Sequence, residues 1–152
     1  MFGRKRSDAP QPAAPAREIV GKVDDRNIPF IDFQGHGFDL FRTINLGHTF
    51  WRATVGTELE RLGRGQIVVI AAYTPQDLEA SWPVMQRFMT IVLAMGLGPQ
   101  YGARALTLGA VGYLDAERDE AHIQGGFGDA VARVRLRALR ETPYGLAASS
   151  YS

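Results

Sequence analysis

Residues 129–141 read Asp-Ala-Val-Ala-Arg-Val-Arg-Leu-Arg-Ala-Leu-Arg-Glu, and the way this run folds decides the architecture. Over residues 132–138 apolar and arginine positions alternate strictly. Side chains on a strand point alternately to opposite faces. An extended backbone therefore sets Val134, Leu136 and Ala138 on one side and Arg133, Arg135 and Arg137 on the other, about 7 Å apart along the chain. A helix is the alternative, since alanine, leucine and arginine all favour helices and Asp129 would cap one. Against it, Leu136 leaves the stripe through Val131 and Val134, and three arginines spread over most of the circumference. The alternation selects a strand over residues 130–139.

Working outward, residues 121–127 read as a short return strand, with Gly125, Gly126 and Gly128 as a hairpin turn or, alternatively, an anion-binding nest of amides. Residues 103–114 read as a strand bent at Gly109 or Gly112, followed by a charged turn over residues 115–120. Residues 66–73, Gln-Ile-Val-Val-Ile-Ala-Ala-Tyr, form a continuous β-branched run without polar alternation, which predicts a central strand covered on both faces. Thr74 and Pro75 supply an N-cap and a first-turn proline for a helix reaching residue 95, kinked or restarted at Pro83 under a Ser81 cap. Its apolar stripes are Leu78, Trp82, Met85, Met89 and Val92, then Val84, Phe88, Ile91 and Met95. Trp51, Val55, Leu59 and Leu62 predict a second helix over residues 49–62. Residues 18–23 and 28–33 read as short strands, the second confined by Pro29 to an edge or a strand start.

These elements predict one α+β domain over residues 17–141. Its sheet is mixed or antiparallel, of about four to six strands, packed by two main helices. The strand–helix–strand–strand order resembles a ferredoxin-like split unit. Residues 1–16, with three prolines among alanines and the basic tip Arg4-Lys5-Arg6, read as a disordered arm, and residues 142–152 as an irregular tail.

Composition narrows the function classes. The 152 residues are 45% hydrophobic and 22% charged, ordinary globular values that leave room for one core. The formal net charge is only +1, against a generally basic nucleic-acid binder. Arg4, Lys5, Arg6 and Arg17 against Asp8 give residues 1–17 a local +3 and leave −2 elsewhere. With no cysteine, disulfides and thiolate zinc sites are impossible, and a reducing, cytoplasmic setting is the expectation. The apolar stretch over residues 88–97 is too short for a membrane span of ~20 residues and reads as core.

No reaction is spelled out. The serines lack a Gly-x-Ser-x-Gly elbow, and the glycine runs lack the Lys-Ser/Thr of a phosphate-binding loop. His36, Asp39 and His48 would suit a small acid–base or metal-dependent enzyme only if folding brought them together. No catalytic residue, metal or cofactor is therefore assigned. The expectation is a non-enzymatic assembly or adaptor subunit that self-associates or joins a larger complex, through its arms and through Arg133, Arg135 and Arg137. Exposed ion pairs from those arginines to Asp115, Glu117, Asp119 or Glu120 are the plainer reading, each contributing ~0–1 kcal/mol. The alternative function is nucleic-acid binding by Arg4, Lys5, Arg6 and the same arginine row, with Phe127 or Tyr113 stacking on bases.

Overall fold

The computed structural model describes residues 26–54 and 57–141. Five parallel strands form one sheet: β1 (Asn27–Ile31), β2 (Thr49–Ala53), β3 (Ile67–Ala72), β4 (Met89–Ala94) and β5 (Gly112–Asp115), in the order β2-β1-β3-β4-β5. Between them run α1 (His36–Thr43), α2 (Thr57–Glu60), α3 (Pro75–Ala80), α4 (Trp82–Arg87), a 3-10 turn (Pro99–Tyr101) and α5 (Gly102–Leu108). The last helix, α6 (Glu120–Glu141), has 22 residues.

This is an α/β fold with every strand pair parallel, so the mixed or antiparallel α+β sheet and the ferredoxin-like unit are overturned. The physical reason lies in what β3 and β4 need. All six residues of each are buried, and alternate side chains serve opposite faces. Ile67, Val69, Ala71, Ile91 and Leu93 enter one core with Phe30, Phe41 and Phe127. Ala72, Val92 and Ala94 pack on the other face with Leu78, Met85 and Leu108. Strands covered on both faces require helices on both faces, which parallel crossovers supply.

Several predicted elements change type accordingly. The run over residues 130–139 is helix, and so are residues 121–128 with Gly125, Gly126 and Gly128. Ile123, Phe127, Ala130, Val131, Val134 and Ala138 are all buried and trace one helical stripe, while Leu136 stays 57% exposed. The alternation that suggested a strand rested on burying Leu136. Gly126 lies where α6 crosses β5: a Cβ there would come within 2.7 Å of a Leu114 methyl. Residues 103–108 are helix rather than strand, and only Gly112–Asp115 extends. Met89–Ala94 leaves the predicted long helix to become β4. Trp51 lies in β2 rather than on a helical stripe.

Other readings meet their counterparts. Thr74 accepts from the Asp77 amide at 3.1 Å while the Asp77 carboxylate accepts from the Thr74 amide at 3.2 Å, closing a capping box with Pro75 in the first turn. The chain restarts at Pro83, yet Ser81 donates its hydroxyl back to the Asp77 carbonyl at 2.8 Å instead of capping α4. Pro29 sits in an interior strand, not an edge. β1 pairs with β2 along its whole length but with β3 only from Phe30 onward, one residue past the missing donor. Arg4, Lys5 and Arg6, the arm over residues 1–16, the strand at 18–23, part of the 49–62 helix and the 142–152 tail lie outside the described residues. Among the described residues no helix is long and apolar enough to cross a membrane.

Candidate functional site

In open parallel sheets ligands settle at the carboxyl ends of the strands, where the strand order reverses direction. Here that point lies between β1 and β3, and the chain fills it with its own side chains. Asp32 follows β1 and is 5% exposed. Its Oδ1 accepts from the Tyr73 hydroxyl at 2.6 Å and the Gln34 amide at 3.2 Å, and its Oδ2 accepts from the Phe38 amide at 2.8 Å. Tyr73, which follows β3, accepts in turn from the Gly37 amide at 3.2 Å. Gly37 is obligatory there, because a Cβ would meet the Ala71 methyl at 2.9 Å. Arg52, from β2, donates to the Asp32 carbonyl at 3.0 Å.

Electrostatics follows from these contacts. Burial alone would raise the Asp32 pKa, but the Tyr73 hydroxyl and the amides of Phe38, Gly35 and Gln34 outweigh it and hold the carboxyl below its ordinary value. Burial, then the hydrogen bond to Asp32, pushes the Tyr73 phenol up to about 12. Tyr113 is likewise pushed up to about 12, by burial and then by the charge of Asp115. A phenol that keeps its proton longer when folded contributes stability fully present below its unfolded value near 10 and lost as pH rises towards 12. Denaturant melts across that window should show this loss; Tyr73→Phe or Tyr113→Phe alone should roughly halve its slope, and the two together should remove it.

The histidine constellation does not assemble. His36 is exposed and edges the Tyr73 ring at 6.4 Å, Asp39 pairs with Arg42 at 3.7 Å, and His48 packs on Phe127 at 5.2 Å. No group of three or more His, Cys, Asp or Glu able to hold a metal occurs among the described residues.

The arginines take a different arrangement from the predicted row. On α6, Arg133 and Arg137 are one turn apart and share a face, while Arg135 lies about 200° away from Arg133 around the helix. Arg133 donates to the Val111 carbonyl at 2.7 Å. Arg133, Arg137 and Arg140 line a concavity of about 410 Å³ with Leu106 and Leu136. It runs into a second of about 470 Å³, lined by Arg137 together with Arg64 and Arg87. Leu106, Ala110, Val111 and Arg137 belong to both, so the two form one groove. Five arginines line it and no acidic side chain does, among the described residues. The groove lies at the amino ends of β4 and β5, the opposite end of the sheet from Asp32.

The comparisons with known proteins stop at fold. No protein-family model and no curated protein sequence matches the chain. Among solved structures it is similar to the signal receiver domain assigned to the response regulator NarL of Mycobacterium tuberculosis, at 15% identity over 73% of this chain and 98% of that one, with a TM-score of 0.47.

Of the nominated residues, the fold brings Arg133 and Arg137 together and sends Arg135 elsewhere. Arg64, Arg87 and Arg140 were missed. For Arg140 a signal existed, because Arg133, Arg137 and Arg140 follow i, i+4, i+7 once the run is read as a helix. Arg64 and Arg87 join only through the sheet, and nothing local marks them. Of the stacking groups named for nucleic acid, Phe127 is 1% exposed and closed to a base, while Tyr113 is half-buried with its hydroxyl donating to the Gly98 carbonyl.

Proposed function

We propose that the protein is a non-enzymatic docking module of a larger assembly, and that it binds an acidic segment of a partner protein in the arginine groove. The observation that carries this reading is the groove itself, which five arginine side chains line beside exposed leucines. Leu106 and Leu136 are 55% and 57% exposed, and Leu139 farther along α6 is 60% exposed. Charged walls over apolar contacts suit a segment that alternates carboxylates with apolar anchors. A second copy of the same groove is disfavoured as the occupant, because arginine would face arginine. The plugged crevice at the carboxyl ends of β1 and β3 agrees with a binding surface elsewhere on the fold.

The test uses a synthetic amphipathic peptide of glutamate and leucine, with binding followed by fluorescence anisotropy. Arg133→Glu with Arg137→Glu should weaken binding at least about tenfold, with affinity falling as salt rises. Arg135→Glu, which points away from the groove, should leave it within about twofold. Equal losses in the two variants, or no binding by the wild type, would remove the proposal.

A further inference from the structure

We infer that the concavity at the carboxyl ends of β1 and β2 binds a small carboxylate ligand with an apolar body, Arg52 taking the carboxylate and Phe33 the body. This site lies at the other end of the sheet from the arginine groove and does not depend on it.

The concavity measures about 350 Å³, enough for a compact ligand. Ile31 and Ala53, the last residues of the two strands, line it and are themselves buried. Phe33, just past β1, adds a side chain that is 70% exposed. A large ring left in water at the wall of a concavity gains when a ligand's apolar surface covers it.

Arg52 supplies the polar contact. One terminal nitrogen of its guanidinium donates to the Asp32 carbonyl at 3.0 Å. A Cβ on Gly35 would come within 3.3 to 3.5 Å of three guanidinium atoms, so the group also lies against the backbone of residue 35. A guanidinium held on two sides has little freedom left to lose when it binds. Among the described residues no acidic side chain pairs with it, and its other N–H groups are the donors a carboxylate needs.

Asp32 borders the same concavity and sets the charge of the ligand. Its carboxylate oxygens accept from the Tyr73 hydroxyl and the amides of Gln34 and Phe38, while Arg52 holds only its carbonyl. The Asp32 charge therefore stays nearby without neutralising Arg52, and it opposes a second negative charge on whatever enters. One guanidinium beside one carboxylate suits a monoanion better than a phosphoryl dianion.

Benzoate, benzyl alcohol and phenyl phosphate share a ring and differ in charge, and titrating each into the intact isotope-labelled protein decides the matter by NMR. Benzoate should shift the amides of Phe33 and Gly35 and the Arg52 Nε–H signal along one saturable curve. It should bind at least about tenfold more tightly than benzyl alcohol, and no more weakly than phenyl phosphate. Arg52→Gln should reduce benzoate to the affinity of benzyl alcohol. Because Arg52 also holds the Asp32 carbonyl, a second variant guards against a loss of fold. Phe33→Ala should leave the melting curve unchanged and weaken benzoate and benzyl alcohol by the same factor. Arg118→Gln, at an exposed position outside the concavity, should change neither affinity. Shifts that scatter over other faces without saturating, or benzyl alcohol binding as tightly as benzoate, would overturn the inference. Tighter binding of phenyl phosphate would overturn the carboxylate as its ligand class.

Discussion

Phe127→Ala is expected to destabilise the protein by about 3–5 kcal/mol, the largest effect of any single truncation considered. Phe127 is 1% exposed in the middle of α6. Its ring meets Phe41 at 6.0 Å, Phe50 at 5.7 Å and His48 at 5.2 Å, all edge-to-face. Phe30 extends the cluster through Phe41 at 5.1 Å. Removing the ring leaves a cavity that rigid neighbours from α1, β1 and β2 cannot fill, and forfeits edge-to-face attraction of about 0.5–1.5 kcal/mol per pair. Urea unfolding should show a lower midpoint with an unchanged slope. Leu136→Ala on the same helix should cost under about 0.5 kcal/mol, because that side chain faces solvent. Reversed magnitudes would mean that residues 130–139 pack as an alternating strand after all.

Asp32→Ala is expected to cost roughly 3 kcal/mol at neutral pH, through orphaned donors rather than lost packing. The Tyr73 hydroxyl and the amides of Phe38 and Gln34 all aim at this carboxylate, and alanine offers none of them an acceptor. The effect depends on pH with a definite sign. A carboxyl whose folded pKa is depressed contributes stability above its unfolded value of 3.8, and that contribution is lost as pH falls through the lower folded value. The gap between wild type and variant should therefore stay constant from neutral pH down to about 4 and close below it. A gap that persisted through acid would show that the carboxylate charge is irrelevant to the loop.

The parts of the fold legible in the sequence are those whose signals are local and unambiguous. Six consecutive buried apolar residues fixed β3 as central, and Thr74-Pro75 with Asp77 marked a helix start whose capping box is present. Residues 89–94 failed for a physical reason: a short apolar run, broken only by Thr90, satisfies a buried strand and a buried helix equally well. Pro83 lies in a helix that ends at Arg87, and no residue there signals the change to strand. In α6 the error lay in the window. Read from residue 130 the run alternates; read from Ile123 the stripe through Phe127, Ala130, Val131, Val134 and Ala138 is helical, and the glycines at 125, 126 and 128 hid that continuity.

The candidate site was half visible. Arginine at 133 and 137 was nominated on the wrong geometry, and the geometry matters because a strand would have kept Arg135 with them. A helix turns it away and brings Arg140 in. Arg64 and Arg87, in a loop before β3 and at the end of α4, are separated in sequence by β3, and only the parallel order β3-β4-β5 brings them to the groove that α6 lines.

Sequence alone determined that a hydrophobic chain without cysteine builds its core from apolar contacts, that residues 67–72 stand at its centre, and that positive charge gathers in residues 133–140. Tertiary structure decided everything that depends on partners far along the chain: strand or helix for each ambiguous apolar run, the direction of every strand, and which arginines share a surface. Local propensities for these segments differ by less than the free energy of covering both faces of β3 and β4, so packing made the choice.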